Sequence, residues 1–564
     1  MNFKEKLIDI LDNILDLDRE SIDRLIEAPA DSSMGDLALP CFHLAKTLKK
    51  APNVIASELK DKINPEPYFK KIEAVGPYLN FFYDDKMLKK VVVEEALTNG
   101  TQYGKMNIGN NQSVVIDYSS TNIAKPFHIG HIRSTLIGNA LYNIGKRLGY
   151  NTIGVNHLGD YGTQFGLLIT AFKKWSNKEE VEASPIDKFL ELYVRINKEA
   201  EENPALRDEA HEWFKKLENK DEEAVKIWSW MKELSLIEFN RVYERLGINF
   251  DSYNGEAFYS DMLPAIEKEL RDKDLITISD GCEIVDLSEF DMPPLMVKKS
   301  NGTSTYATRD LACAEYRKKR YDFAKNIYVV ATQQNLHFKQ LFKTLELMGY
   351  DWAKDCVHVG FGMVSLEDGT LSTRKGQVLY LEDVINKAVS KTFDLINSRN
   401  PDLENKEEVA EMVGIGALKF QEFYNQRIKD YVFSWDKTLS FEGETGPYVQ
   451  YSYARCSSLI NKSGIDPDLN DIKDELLIDE EINMLKEIYQ IPSVVVDSFE
   501  KYEPYFISRQ IIEVVKSFNR YYYNNQIITD DKELTRHRIA FASLVKTVIK
   551  SQLDLLGIAT PERM

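Results

Sequence analysis

Cysteine is scarce: five of 564 residues, Cys41, Cys282, Cys313, Cys356 and Cys456, far apart, with no C-x-x-C pair and no neighbouring histidine at metal spacing. That excludes a disulfide framework and gives no sign of a structural zinc, so a reducing cytoplasm is expected. No apolar run approaches the ~18 residues of a membrane span. The opening "MNFKEKLIDILDNILDLDRESIDRLIEA" places Leu and Ile at three-to-four spacing among charges, which predicts an amphipathic helix rather than a signal segment. Positive charge is also in deficit, with 71 Lys and Arg against 89 Asp and Glu and a formal net charge of −18. An indiscriminate phosphate binder needs a broadly positive field, so nucleic acid is admissible only through local basic patches. Repeats and low-complexity tracts are missing too.

What is present is ordinary globular material, 43% hydrophobic and 28% charged. The length predicts three or four domains of roughly 150 residues. Residues 1 to about 105 alternate helical stretches with a strand, "GPYLNFFY" (76–83), and end in the linker-like "TNGTQYGKMNIGNNQ" (98–112). The β-branched "SVVIDYS" (113–119), a helix from about Ile129 and the strand "NTIGVNHLGD" (151–160) imply a parallel α/β sheet, continued by "NIYVVAT" (326–332) and "VHVGFGMV" (357–364). Residues from about 165 to 275 read as a charged helical insertion. From about 405 onward helical periodicity predicts a C-terminal helical domain.

The stretch "SSTNIAKPFHIGHIRST" (119–135) follows the first of those strands. A strand that ends in a small-residue loop and feeds a helix offers unpaired N–H groups and a positive dipole end to phosphates. His128 and His131 add donors, and Gly130 removes a side chain where a flat base could approach. The pattern suggests nucleotide binding. Two other readings remain open on spacing alone: a metal pair, for which no further Cys, Asp or Glu ligand lies nearby, and two satisfied polar residues without function.

"HIGH" at 128–131 is the literal signature of class I aminoacyl-tRNA synthetases, and "SSTNIAKPFHIGHIRSTLIGNAL" closely resembles the arginyl-tRNA synthetase family. "HLGDYGTQFG" (157–166), "STYATRDLA" (304–312), "LSTRKG" (371–376), "GETGPYVQYSYAR" (443–455) and the ending "LLGIATPERM" extend the resemblance over essentially the whole chain. It implies a Rossmann-like α/β catalytic domain at 112–435 with an insertion at about 165–290. An α+β domain at 1–105 that meets the tRNA D-loop and an all-α anticodon-binding domain of DALR type at 436–564 complete the expected fold. The implied reaction ligates L-arginine to tRNA(Arg) through an arginyl-adenylate, with ATP and its Mg²⁺ as co-substrate and no structural metal. A cytoplasmic monomer without membrane contact is expected.

The resemblance also implies residue roles. His128 and His131 contact the ATP phosphates and Gly130 lies by the adenosine. The K-M-S-K-S loop of class I enzymes aligns with Thr370, Leu371, Ser372, Thr373 and Arg374, which lacks both lysines. Lys125 matches the lysine thought to substitute, with Arg374 or Lys375 contributing and Ser372 at the nucleotide. Tyr306 and Asp310, four apart on a helix, match the holders of the arginine side chain. Asn122, His128 and Gln334 match its backbone end, and Asp117 a second guanidinium contact. Tyr78 and Asn80 match D-loop contacts, and Tyr448, Tyr451, Arg455 and Met564 anticodon contacts. Basic clusters in "HLAKTLKK", "VKKSNGT" and "EYRKKRYDFAK" qualify as RNA contacts or as solvated helix faces. The rival readings are a class I enzyme for another amino acid and an RNA-binding relative that has lost catalysis; the joint retention of His128, Gly130, His131, Asn122, Tyr306 and Asp310 argues against the latter.

Overall fold

A computed structural model of the chain describes residues 2–29, 31–366 and 380–564. These form two compact units. Unit 1 comprises residues up to Tyr103 together with Leu459–Ile491 and Glu513–Val548, and unit 2 comprises Gly104–Ser458, Pro492–Ile512 and Ile549–Met564.

In unit 1 the expected opening helix is two, Phe3–Asp12 and Arg19–Leu25. Side chains compete with the backbone between them: Asn13 Nδ2 donates to the Asp9 carbonyl, and Asp18 caps the second helix by accepting from the Ser21 N–H at 2.8 Å. The strand predicted at 76–83 is Tyr78–Tyr83, the centre of an antiparallel sheet between Leu37–Pro40 and Phe69–Val75. Phe3, Phe69, Phe81 and Tyr83 pack together in its core.

Unit 2 is built on a four-stranded sheet. In chain order its elements are β1 (Ser113–Asp117), α1 (Ile132–Arg147), β2 (Asn151–Val155), α2 (Glu222–Arg245), α3 (Tyr306–Tyr321), β3 (Lys325–Tyr328), α4 (Asn335–Leu347) and β4 (Cys356–His358). The strand order is β4-β3-β1-β2 and every pair is parallel. The chain moves from β1 to β2 on one side and returns to β3 on the other, so the order reverses at β1. Ligands of open α/β sheets bind outside the carboxyl ends of the strands at such a point.

Two sequence expectations change here. The insertion is helical through Leu263–Asp272, but a three-stranded antiparallel sheet of Ile276–Ser279, Cys282–Val285 and Leu295–Lys298 follows. Its tight turn is Asp280-Gly281, both with positive φ, the residue pair such hairpins favour. "VHVGFGMV" is not one strand. Cys356–His358 joins the sheet, whereas Val364–Leu366 pairs with Tyr431–Phe433. Gly362 permits that departure, because a Cβ there would lie 2.5 Å from Asp430 Oδ1 and 2.6 Å from the Lys429 carbonyl carbon. From Lys406 onward the elements are helical apart from Tyr431–Phe433.

Candidate functional site

The loop from the end of β1 to α1 carries strain: Ser119, Ser120 and Ala124 all have positive φ without being glycine. Buried hydroxyls hold it. The Ser119 N–H donates to Ser134 Oγ at 2.9 Å, Ser119 Oγ and Tyr243 OH of α2 are 2.7 Å apart, and the Ala124 N–H donates to Ser235 Oγ of α2 at 2.9 Å. A short 3-10 turn, Ile129–His131, then leads into α1.

His128 caps that turn, its Nδ1 accepting the Gly130 N–H at 3.1 Å. The neutral ring therefore carries its proton on Nε2 and offers it as a donor. A Cβ on Gly130 would meet His128 Cε1 at 2.8 Å, so the histidine ring itself demands the glycine. His131 Nδ1 lies 3.3 Å from the His128 backbone nitrogen, and the two ring centres are 4.0 Å apart. Burial holds both imidazoles neutral: it lowers His128, with Lys125 adding to the effect, and pushes His131 down to about 3. Lys125 is half-buried with its Nζ 5.7 Å from the Tyr193 ring centre, and burial lowers its pKa. Among the described residues no carboxylate pairs with it.

Asp117, at the carboxyl end of β1, does not offer a free carboxylate. Its Oδ2 accepts from Arg317 Nη2 of α3 at 2.7 Å and its Oδ1 from Ser120 Oγ at 2.8 Å. The expected second guanidinium contact is thus taken by a guanidinium of the chain itself.

Tyr306 and Asp310 share one face at the start of α3 as expected. Asp310 Oδ2 accepts from His337 Nε2 at 2.7 Å, and the His337 ring centre is 4.9 Å from that of Tyr306. Burial, the largest single effect, opposes the Asp310 charge, but the His337 hydrogen bond together with the nearby His337, His157 and Arg317 charges holds the carboxyl below its usual range. Tyr306 is 57% exposed, and Asn122 and Gln334 are exposed too. The sequence reading missed His337, although it lies three residues after Gln334 and so shares that face. It also missed Arg317 and Tyr193.

The expected tRNA contacts fare unevenly. Tyr78 is exposed beside Phe42, ring centres 5.8 Å apart, but Asn80 is only 4% exposed on the central strand and presents no base-edge contact in this conformation. Tyr451 is exposed with the Arg455 guanidinium 5.0 Å from its ring centre, and Tyr448 is half-buried on the same helix, Gly446–Ser463. Met564 packs instead against the cluster of Ile396, Leu403, Val409, Ala410 and Val413. Thr370, Leu371, Ser372, Thr373, Arg374 and Lys375 lie outside the described residues.

Three family models match the chain: the class I (R) tRNA synthetase catalytic domain over 92–435, the DALR anticodon binding domain over 449–564, and the arginyl tRNA synthetase N terminal domain over 1–83. The chain is 56% identical over 567 residues to an arginine-tRNA ligase of Halothermothrix orenii, covering 100% of both, and 50% identical over 554 residues to one of Clostridioides difficile, covering 98% of both. Its fold is similar to the arginyl-tRNA synthetase structures of Thermus thermophilus (TM-score 0.81, 23% identity, 96% of each chain) and Plasmodium falciparum (TM-score 0.82, 24% identity, 100% of this chain and 99% of that one).

Proposed function

The chain belongs to the arginyl-tRNA synthetase family of class I enzymes, and from that premise we infer how its residues perform the ATP-dependent joining of arginine to tRNA. The observation that carries the specificity is Asp310: a half-buried carboxylate, kept ionised, whose partner is His337 and not a Lys or Arg among the described residues. A planar guanidinium with several donors suits that carboxylate and the neighbouring Tyr306 hydroxyl, whereas an ammonium cannot fill the same fork.

The substrate carboxylate attacks the α-phosphorus of ATP and pyrophosphate leaves. Charge grows on the phosphate oxygens during that step. His128, fixed and neutral, donates through Nε2, neutral His131 lies beside it, and Lys125 supplies the nearby cation, so the stabilising groups need little reorganisation. The ribose hydroxyl of the tRNA terminus then takes the arginyl group and AMP leaves. Asn122 and Gln334 hold the amino-acid end, and Mg²⁺ arrives as part of the ATP complex. Ser372, Arg374 and Lys375 act at the phosphates, Gly130 at the adenosine, Tyr78 at the D-loop, and Tyr448, Tyr451 and Arg455 at the anticodon. The domains run 1–105, 112–435 and 436–564, and the enzyme works as a cytoplasmic monomer.

The test is charging of total tRNA with ATP, Mg²⁺ and each proteinogenic amino acid, for the wild type beside Asp310→Ala and Lys125→Ala. Arginine alone should be transferred, and both variants should fail while still folded. Transfer of another amino acid sinks the pocket assignment.

A further inference from the structure

Asp310 is the carboxylate on which arginine recognition rests, and its orientation is set by a residue from another helix. His337, at the start of α4 and 8% exposed, directs Nε2 at Asp310 Oδ2 at 2.7 Å. The same ring faces Tyr306, one turn earlier on α3. Phe338 fixes the neighbourhood by stacking on His358 of β4 at 4.4 Å between ring centres. One imidazole therefore touches both residues proposed to grip the substrate side chain.

We propose that His337 is a positioning residue that turns Asp310 toward the arginine guanidinium. A neutral imidazole donating from Nε2 locks one oxygen of Asp310 and leaves the other free for the guanidinium. His337 has no such role toward ATP, whose proposed contacts are on the β1–α1 loop and at Ser372, Arg374 and Lys375.

The groups that surround the pair are His157 after β2, Arg317 and Tyr306 on α3, Glu256 in the turn Glu256–Met262, and His358 on β4. All of them persist in a His337 variant. Any electrostatic effect they exert on the pocket is then common to variant and wild type, and only the difference reports on His337.

The inference rests on the arginine reading, and the experiment separates the two. Steady-state charging with arginine is compared for wild type, His337→Gln, whose amide can still donate to Asp310, and His337→Leu, which cannot. The expected result is a KM for arginine raised about tenfold in His337→Leu, the loss of one hydrogen bond to a charged group. His337→Gln should stay within about twofold, and the KM for ATP should not move in either variant. Equal arginine KM in wild type and His337→Leu, or parallel rises in both KM values, would each overturn the proposal. A wild type that charges no arginine overturns the functional reading and this inference together; a wild type that charges arginine with indifferent variants overturns only this one.

Discussion

Asp117 and Arg317 meet at 2.7 Å with side chains 7% and 1% exposed, so a permanent guanidinium occupies the carboxylate at the end of the first strand. Arg317 also lies 5.3 Å from the Tyr328 ring centre, which ties α3 to the carboxyl ends of both β1 and β3. Removing one partner of such a pair leaves a buried charge uncompensated. Arg317→Gln should cost about 3–5 kcal/mol of unfolding free energy in a denaturant titration. A loss below about 1 kcal/mol would mean that water or another donor takes the place of Arg317.

His128→Ala should lower the rate of arginine-dependent pyrophosphate exchange by about 10²–10³-fold, the usual cost of one preorganised donor to a developing oxyanion. The measurement is made with tRNA present, beside a thermal melt to confirm folding. A KM effect on ATP without any rate effect would make His128 a ground-state contact only.

His131 links stability to acid. Burial pushes its folded-state pKa to about 3, while an unfolded histidine titrates near ~6.5. Between those values the unfolded chain binds a proton that the native one does not, so native stability falls as pH drops through the window. His131→Gln should therefore show a shallower fall in melting temperature below about pH 6.5. Identical slopes would argue against the depressed pKa.

Lys419, 3% exposed, donates from Nζ to the carbonyls of Leu246, at the end of α2, and of Gly557, after the helix Lys532–Leu555. A cation suits helix C-termini, but burial lowers its pKa to about 8. A neutral amine still has two N–H groups for the two carbonyls. Above the folded value and below the ordinary ~10.4, the unfolded chain holds the extra proton, so this residue's contribution to stability rises with pH there. The stability of wild type relative to Lys419→Met should increase from about pH 8 to about pH 10, measured by denaturation. A constant difference would show that Lys419 stays charged.

Tyr451→Ala should weaken tRNA by roughly 1–3 kcal/mol, the range for one stacked base, seen as a raised KM for tRNA with that for arginine unchanged. No change would leave the Tyr451–Arg455 contact as helix packing.

Local pattern made much of this architecture readable before any coordinates. Continuous β-branched runs marked β1 and β2, and helical spacing marked the C-terminal helices, because both signals are carried by near neighbours. The boundary errors were also local in origin: Asn13 and Asp18 stopped a helix that apolar spacing alone would continue, and the Asp280-Gly281 hairpin hid inside a charged region.

The sequence by itself determined the family, through motifs whose residue types and order are written directly in the chain, and it singled out His128, His131, Tyr306 and Asp310 as candidate site residues. Only the tertiary structure decided what each charged group faces. It gave Asp117 to Arg317, 200 residues away, placed His337 on Asp310, buried Asn80 and set Met564 into an apolar cluster. The physical reason is that pairing and burial depend on distances between remote segments, which folding sets and spacing along the chain does not encode.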